Sequence, residues 1–536
     1  MFGEVSGRCK YDNHDEVKRL LPLRIDKRAN LLLLLLLVLV PIQTGVVRTD
    51  VSTTTSISPQ IMIVILVEFS DLKHTAPQDK MHDLIFSGLN KYYSEVSYGQ
   101  IGFTGKTVGW YQLPNPVAHY AVGQRKNYNA SRVRPFIKSA VDAADDDVDF
   151  SKYSYVMVVH AGDSNPLWWC LYVQPKTIGT PIATNDWVGS NRVGVKESIL
   201  IGETDPLGVI AHEVAHCLGG LREQRYLGLP DLFDLDLNEG KYCEVFMGSW
   251  CLMSVPDGSL CAWSKLKLGW IPARAIVTVF PWRSNATATI DPLELPTSGT
   301  HVVMIPLTGK TYYLVEVRQQ IGVDKILPGS GVLITLADDS KYESTKKGPV
   351  RVIDSTPETS TLDDATFDLG QGKKSAFFDR ENNLSIVIVG KLGSSYEVFI
   401  GPVGEGERIS LATTAIEEAK ASIQRAETEG RTEGLDRAKA LLVNSSAALD
   451  KGDYAAALAF AKQAKEAADS AVRASKTQTK TSTTDIAPSL PTNILIPAIV
   501  ALAVLIGIFL ALEKGKKNRS QEAAIPWKTP VMLQTE

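Results

Sequence analysis

The order of apolar and polar residues divides the chain into regions of different secondary structure. A continuous apolar run at residues 61–67 is typical of a buried strand, and a shorter run follows at 155–159. Between them, residues 79–93 repeat apolar positions at helical spacing. Strands and helices in one region predict an α/β or α+β core over residues 47–276, and we take α+β as the fold class.

Residues 277–405 change to a period of two. Six segments alternate apolar and polar residues, and turn residues separate them, which predicts a mainly β domain. These segments are 288–290, 302–305, 312–316, 332–335, 384–388 and 396–400.

Residues 406–476 carry a third pattern, in which small apolar side chains return every three or four positions. The run Thr414-Ala-Ile-Glu417 fits a capping box, which marks the start of a helix. We therefore predict a small α-helical bundle. Two roles stay open for it: a module that binds a protein partner, or a spacer.

Two further apolar segments set the predicted topology. Residues 30–40 follow two basic residues and resemble a secretory signal, so residues 1–46 are predicted to contain a signal peptide or a signal-anchor. A third alternative is that the start codon was assigned too early, because a long polar stretch precedes the apolar run. Residues 494–512 are free of charge and long enough for one C-terminal transmembrane helix. The Ser/Thr/Pro-rich stretch 477–493 would be a stalk, and the basic residues of 513–536 predict a cytoplasmic tail. The expected location is the cell membrane, single-pass, with the preceding domains extracellular.

Charge and cysteines narrow the setting further. The 56 Lys and Arg nearly balance the 60 Asp and Glu, so nucleic acid is not an expected partner. Five of the six cysteines lie in the predicted outside region, where disulfides are permitted. Cys243, Cys251 and Cys261 are close enough in sequence for one or two bridges, and the odd number leaves one thiol over.

The strongest chemical signal is the run His212-Glu-Val-Ala-His216. Residues i and i+4 share one face of a helix, so both imidazoles can reach one metal ion. Glu213 lies next to that face, where it can take a proton from water as a general base. The run therefore predicts a zinc site with Glu213 as the catalytic residue.

A catalytic zinc ion needs a third protein ligand. The pair Gly219-Gly220 should end the helix. In the zincin class that has a Gly three residues after the second His, the third ligand lies three residues after that Gly; here this position is Arg222, a cation that cannot bind zinc. The next acidic residue after a second Leu-Gly pair is Asp231, which we predict as the ligand, with Asp234 and Asp236 behind it. The alternatives are that these three acids form a solvated loop or a structural calcium site.

Several further motifs accompany this one over residues 61–400. They include Val67-Glu-Phe-Ser-Asp71, Tyr92-Tyr-Ser-Glu-Val-Ser-Tyr-Gly99, His160-Ala-Gly162, Leu227-Gly-Leu-Pro-Asp231, Gly248-Ser-Trp-Cys-Leu-Met253, the run from Ala262 to Trp270, and Tyr312-Tyr-Leu-Val-Glu316 followed by Leu327-Pro-Gly-Ser-Gly331. Together they resemble the immune inhibitor A family of secreted zinc metallopeptidases.

That resemblance implies a metzincin-like endopeptidase domain followed by a β domain. It implies His212, His216 and Asp231 as zinc ligands, Glu213 as the base, and Met253 as the methionine beneath the metal. The sequence departs from the family pattern at 220–228, an insertion that separates Asp231 from the helix. The helical bundle and the membrane segment lie outside the resemblance.

The predicted function is a cell-surface zinc metalloendopeptidase that acts on protein or peptide substrates. The main alternative is a surface adhesion or scaffold protein on a degenerate peptidase fold, and a weaker one is a metal-dependent hydrolase that acts on a non-peptide substrate. Retention of Glu213 favours the enzyme, because a binding module has no use for that carboxylate; the insertion favours the scaffold.

Overall fold

The structure is a computed structural model that describes residues 60–121, 129–164, 171–218, 221–222, 225–226, 228–236, 241–341 and 348–473. The predicted signal region 1–46, the stalk 477–493, the membrane segment 494–512 and the tail 513–536 lie outside the described residues. Within the described part of the chain, no helix combines the length and the apolar character needed to cross a membrane.

A five-stranded sheet organises the first part of the chain. In chain order the strands of this part are β1 (Gln60–Glu68), β2 (Phe103–Gln112), β3 (Tyr155–His160), β4 (Leu171–Val173), β5 (Ile182–Val188), β6 (Asn191–Val195) and β7 (Ser198–Gly202). The sheet order is β2-β1-β3-β7-β4, while β5 and β6 form a separate hairpin. Four of the five strands are parallel, and the edge strand β4 runs antiparallel to β7.

Helices cover both faces of this sheet. They are α1 (Gln78–Asp83), α2 (Asn90–Val96), α3 (Val117–Tyr120), α4 (Val133–Ala144), α5 (Pro175–Ile178), α6 (Leu207–Cys217) and α7 (Ala262–Leu268), and a π-helical turn at Leu84–Leu89 joins the first two. Alternate residues of β1 point to opposite faces. Met62 and Val64 pack with α2 and α6, whereas Ile63 and Ile65 pack with α4.

The prediction of an α+β fold is therefore wrong, and the fold is mixed α/β. The apolar run of β1 lacks polar alternation because helices bury both faces of a largely parallel sheet. Parallel neighbours also need crossover connections, which the helices supply: α1 and α2 link β1 to β2, and α4 links β2 to β3.

Two short hairpins follow α6. The first joins β8 (Leu221–Arg222) to β9 (Arg225–Tyr226), and the second joins β10 (Phe233–Asp236) to β11 (Lys241–Val245). Asp231 lies between these hairpins. Further on, Cys251 and Cys261 are buried free thiols that both contact the Ser264 hydroxyl, so the structure places no bridge between them.

Two sheets packed face to face form the next region. Its strands are β12 (Ile276–Thr278), β13 (Ala286–Ile290), β14 (Val302–Pro306), β15 (Thr311–Arg318), β16 (Gly331–Asp338), β17 (Val350–Ile353), β18 (Ala376–Asp379), β19 (Leu384–Leu392) and β20 (Ser395–Gly401). One sheet has the order β12-β14-β15-β16-β17 and the other β13-β20-β19-β18. Apolar residues from both sheets share one core. All six alternating segments of the sequence lie within these strands.

Three helices complete the described chain: α8 (Val403–Thr428), α9 (Leu435–Asp450) and α10 (Tyr454–Asp469). Alanines make up most of the buried residues where these helices pack together, and Ala412 and Ala461 are fully buried. The capping box expected at Thr414 is wrong, because α8 begins eleven residues earlier, directly after Pro402. Its first turns pack on β19, where a Cβ at Gly406 would lie 2.0 Å from the Ser385 hydroxyl. Because of this packing, the helix begins before the capping box that the local sequence suggested.

Short 3₁₀ turns connect several elements. They lie at Ala130–Arg132, Phe150–Lys152, Gly248–Trp250, Ala273–Ala275, Gly322–Ile326 and Asp339–Lys341.

Candidate metal centre

Helix α6 positions three of the predicted site residues. Pro206 precedes its first turn, and the apolar residues Ile210 and Val214 anchor it against the sheet. His212 and Glu213 are almost fully buried, with exposed fractions of 7% and 8%. The helix ends at Cys217, so the chain turns away directly after His216.

The structure brings both histidines together with Asp231. The Oδ1 atom of Asp231 lies 3.1 Å from Nε2 of His212 and 3.4 Å from Nε2 of His216. The two Nε2 atoms are 3.2 Å apart, and the rings stand nearly perpendicular at 85°. Among the described residues this is the one group of three or more His, Cys, Asp or Glu side chains arranged to hold a metal ion.

Hydrogen bonds on the far side of each ring determine which atom faces the group. Nδ1 of His212 donates to the Leu252 carbonyl at 2.8 Å, and Nδ1 of His216 donates to the Leu229 carbonyl at 2.6 Å. A carbonyl oxygen only accepts, so each Nδ1 carries a proton, and in its neutral form each ring presents the lone pair of Nε2. With both rings neutral, three acceptor atoms converge, and a cation placed among them stabilises the arrangement.

The donor set fits zinc in both chemistry and size. Zinc is commonly bound by imidazole nitrogen and carboxylate oxygen, and ligands at tetrahedral corners about 2.05 Å from the ion lie about 3.3 Å from each other. The observed separations of 3.1 to 3.4 Å match that spacing. Calcium prefers six to eight oxygen ligands, which two imidazoles do not supply.

The charge of Asp231 is coupled to the two imidazoles. Partial burial acts to raise the pKa of the Asp231 carboxyl, but His216 and His212 outweigh it and hold that pKa well below its usual range. Burial acts to lower the pKa of His216, and the charge of Asp231 outweighs it, so the pKa is raised. The Asp231 side chain keeps 37% of its surface exposed, which leaves the group open to solvent on that side.

Glu213 lies beside the group and takes no part in it. Its Oε2 atom accepts a hydrogen bond of 2.6 Å from the backbone N–H of Tyr172 in β4. Burial raises the pKa of the Glu213 carboxyl to about 8. The Tyr172 ring stacks on His216 at 6.1 Å, and its hydroxyl donates to Glu197. The edge strand therefore fixes the carboxyl group next to the three converging acceptors.

The return of the chain to His216 depends on Gly228. A Cβ at this position would lie 1.7 Å from the carbonyl oxygen of His216, so only glycine lets the segment pass so close to the end of α6. The close passage places the Leu229 carbonyl against His216 and delivers Asp231 two residues later.

The substitution Gly228→Ala should therefore loosen the site. Overlap with the His216 carbonyl should lower the free energy of unfolding by about 1–3 kcal/mol. Zinc affinity should fall about 10-fold, because a group that orients a ligand is displaced. Gly404→Ala is the matched control, since its Cβ meets nothing within 4 Å. Equal zinc affinity in both variants, measured by competition with a chelator, would contradict this account.

Among the described residues, His160 and Met253 are not members of the group. His160 is buried and its Nδ1 contacts the Ala161 carbonyl, consistent with a structural residue. Asp234 and Asp236 belong to β10, but their side chains lie outside the described residues, so the calcium alternative stays a prediction. Met253 is fully buried, and its carbonyl accepts from the N–H of Leu232, next to Asp231.

Some supporting residues were not predicted from the sequence. Tyr172 and Leu252 act through backbone atoms, which carry no sequence signature. Tyr93 donates from its hydroxyl to the carbonyl of Ala211, adjacent to His212, at 2.5 Å. In the sequence, Tyr92 and Tyr93 stand out only as part of the family resemblance. Their hydroxyl groups, on a helix that is buried, are the signal that could have indicated hydrogen bonds to other segments.

Comparison with known proteins adds no name to this site. No protein-family model matches the chain, and no curated protein is significantly similar to it. The likeness to the immune inhibitor A family stays a prediction from short motifs.

Proposed function

We propose that the chain is a zinc metalloendopeptidase. The observation that carries the proposal is the convergence of three acceptor atoms at 3.1 to 3.4 Å, with both histidine Nδ1 protons already committed to carbonyls. His212, His216 and Asp231 would hold the zinc ion. When bound, zinc would supply a Lewis acid that polarises a peptide carbonyl and makes water more acidic.

Glu213 would serve as the general base. Its carboxyl group is buried beside the three acceptors and is oriented by the backbone N–H of Tyr172. From that position it would take the proton of the attacking water and then deliver it to the leaving amine. The pKa raised by burial makes the carboxyl a stronger base once ionised, as a base working near neutral pH requires.

The edge strand supports a peptide substrate. In the antiparallel pairing of β4 with β7, the N–H of Tyr172 donates to Glu213, so its backbone polar groups point away from β7. β4 is the edge strand of its sheet, and an edge strand is the position at which an extended peptide can bind as an added strand.

The main rival is an adhesion or scaffold protein on a degenerate peptidase fold. Such a protein gains nothing from Glu213, because a buried carboxyl that is not a ligand only destabilises the fold. Zinc content and casein hydrolysis, measured with and without a chelator, separate the two. We expect one zinc per chain and hydrolysis that the chelator abolishes; bound zinc without hydrolysis would favour the scaffold.

Removing the metal should also destabilise the protein. A ligand present at 100 times its dissociation constant, and bound only by the folded state, contributes about 2.7 kcal/mol. Without the metal ion this contribution to the free energy of unfolding is lost, so the melting temperature should fall on chelation and recover with added zinc. A melting temperature that ignores both treatments would contradict the metal assignment. Magnesium serves as the control ion, because it prefers oxygen ligands.

A further inference from the structure

One loop touches both segments that carry the proposed ligands. We define it as the 250–259 loop, from Trp250 to Ser259. Its Leu252 carbonyl accepts from Nδ1 of His212 at 2.8 Å. The next carbonyl, that of Met253, accepts from the N–H of Leu232 at 2.7 Å, and Leu232 follows Asp231 directly. The position of this loop therefore determines how His212 and Asp231 face each other.

The two ends of the loop are tied together. Inside the loop, the N–H of Leu252 donates to the Ser259 carbonyl at 3.0 Å. The guanidinium of Arg318 then reaches both ends: Nη1 donates to the Trp250 carbonyl at 2.7 Å, and Nη2 contacts the Ser259 hydroxyl at 3.3 Å. Asp324, paired with Nη2 of Arg318 at 2.8 Å, also accepts from the backbone N–H and the hydroxyl of Ser259 at 2.6 Å.

Arg318 comes from the β sandwich, at the last residue of β15. It is fully buried, and three carboxylates surround it: Glu294 at 2.8 Å, Glu316 at 3.3 Å and Asp324. A buried guanidinium is held firmly only where its donors are all satisfied, and these carboxylates fix its planar fork in one orientation. The sandwich thus holds the Arg318 guanidinium in a fixed position against the loop.

We propose that Arg318 is a positioning residue for the zinc site. It holds the 250–259 loop at both ends, and the loop's carbonyls in turn orient His212 and the Asp231 segment. The β sandwich is on this account part of the metal-binding unit. The inference rests on the proposed zinc site. Arg318 lies 68 positions after Trp250 and 59 positions after Ser259 in the sequence.

The test compares three variants of the full chain. Arg318→Lys keeps the charge among the carboxylates but cannot reach Trp250 and Asp324 together. Ser259→Ala removes only the contacts of the Ser259 hydroxyl with Arg318 and Asp324. Ser385→Ala is the control, because this buried hydroxyl of β19 bonds the Gly401 and Pro402 carbonyls, remote from the loop. Zinc affinity and the absorption spectrum of bound cobalt(II), which reports ligand geometry, are measured on folded protein.

We expect Arg318→Lys to weaken zinc binding about 10-fold or more, as the loss of groups that orient metal ligands does, and to change the cobalt spectrum. Ser259→Ala should show a smaller change of the same kind, and it decides the question if the lysine variant does not fold. Ser385→Ala should match the wild type in both measurements. If folded Ser259→Ala and Arg318→Lys both keep the zinc affinity and the cobalt spectrum of the wild type, the inference about Arg318 is wrong, while the proposed function stands. A wild-type chain that binds no zinc would instead refute the proposed function and this inference with it.

Discussion

Glu213→Gln should abolish peptide hydrolysis and leave zinc binding intact. The side chain lies beside the three proposed ligands and is held by the N–H of Tyr172, so an amide of the same shape can occupy its place. The amide cannot accept a proton from water, and loss of a general base typically costs about 10²- to 10⁴-fold in turnover. Casein hydrolysis and zinc content, measured on the same preparation, check both halves of the prediction.

The variant should also remain folded. Burial raises the pKa of the Glu213 carboxyl, which means that the folded chain disfavours its charged form. A neutral amide removes that cost. Glu197→Gln is the matched control, because its carbonyl can still accept from the Tyr172 hydroxyl and it lies outside the acceptor group. Near-normal hydrolysis by zinc-loaded Glu213→Gln would remove Glu213 from the mechanism and leave another base to be found.

The parts of the site that the sequence predicted are those set by local geometry. His212, Glu213 and His216 lie within five residues, and helix periodicity alone puts both imidazoles on one face. The prediction of Asp231 rests on two glycines, Gly219 and Gly220, that are expected to end the helix and permit a reversal of the chain. The structure adds the reason for Gly228, whose missing side chain lets the chain return against His216.

The supporting contacts could not be predicted, because they join residues far apart in sequence. Tyr172 and Glu213 are 41 positions apart, and Arg318 and Trp250 are 68 apart. Most of these contacts use backbone carbonyls or N–H groups, which every residue possesses. An arginine at the end of a strand is common on surfaces, and only the packed structure reveals that three carboxylates enclose Arg318.

The errors of the sequence analysis have a common cause in tertiary packing. The apolar run of β1 was consistent with several sheet types, and only the helices on its two faces decide for a mixed α/β fold. Likewise, Thr414 and Glu417 match a capping box locally, yet the turns before them are stabilised by contact with β19. Local signals predicted which residues are helical or extended better than where elements begin and how they stack.

Asp231→Ala should remove most of the zinc affinity. Its Oδ1 atom contacts both Nε2 atoms, so the variant leaves two neutral imidazoles with no anionic partner. Changes to groups that merely orient ligands cost about 10- to 100-fold in metal affinity, so we expect loss of the ligand itself to cost at least about 100-fold. Hydrolysis should disappear in parallel at limiting zinc.

A graded series distinguishes a ligand from a residue that only supports the loop. Asp231→Asn keeps an oxygen in place but removes the charge, so its zinc affinity should lie between those of the wild type and Asp231→Ala. The charge of Asp231 also raises the pKa of His216, and both substitutions should lower that pKa in the metal-free protein. A supporting role would affect stability without this order of affinities. Full zinc affinity in Asp231→Ala, or a zinc-loaded structure with the carboxylate several Å from the ion, would end the assignment; the insertion before Asp231 would then have displaced the third ligand.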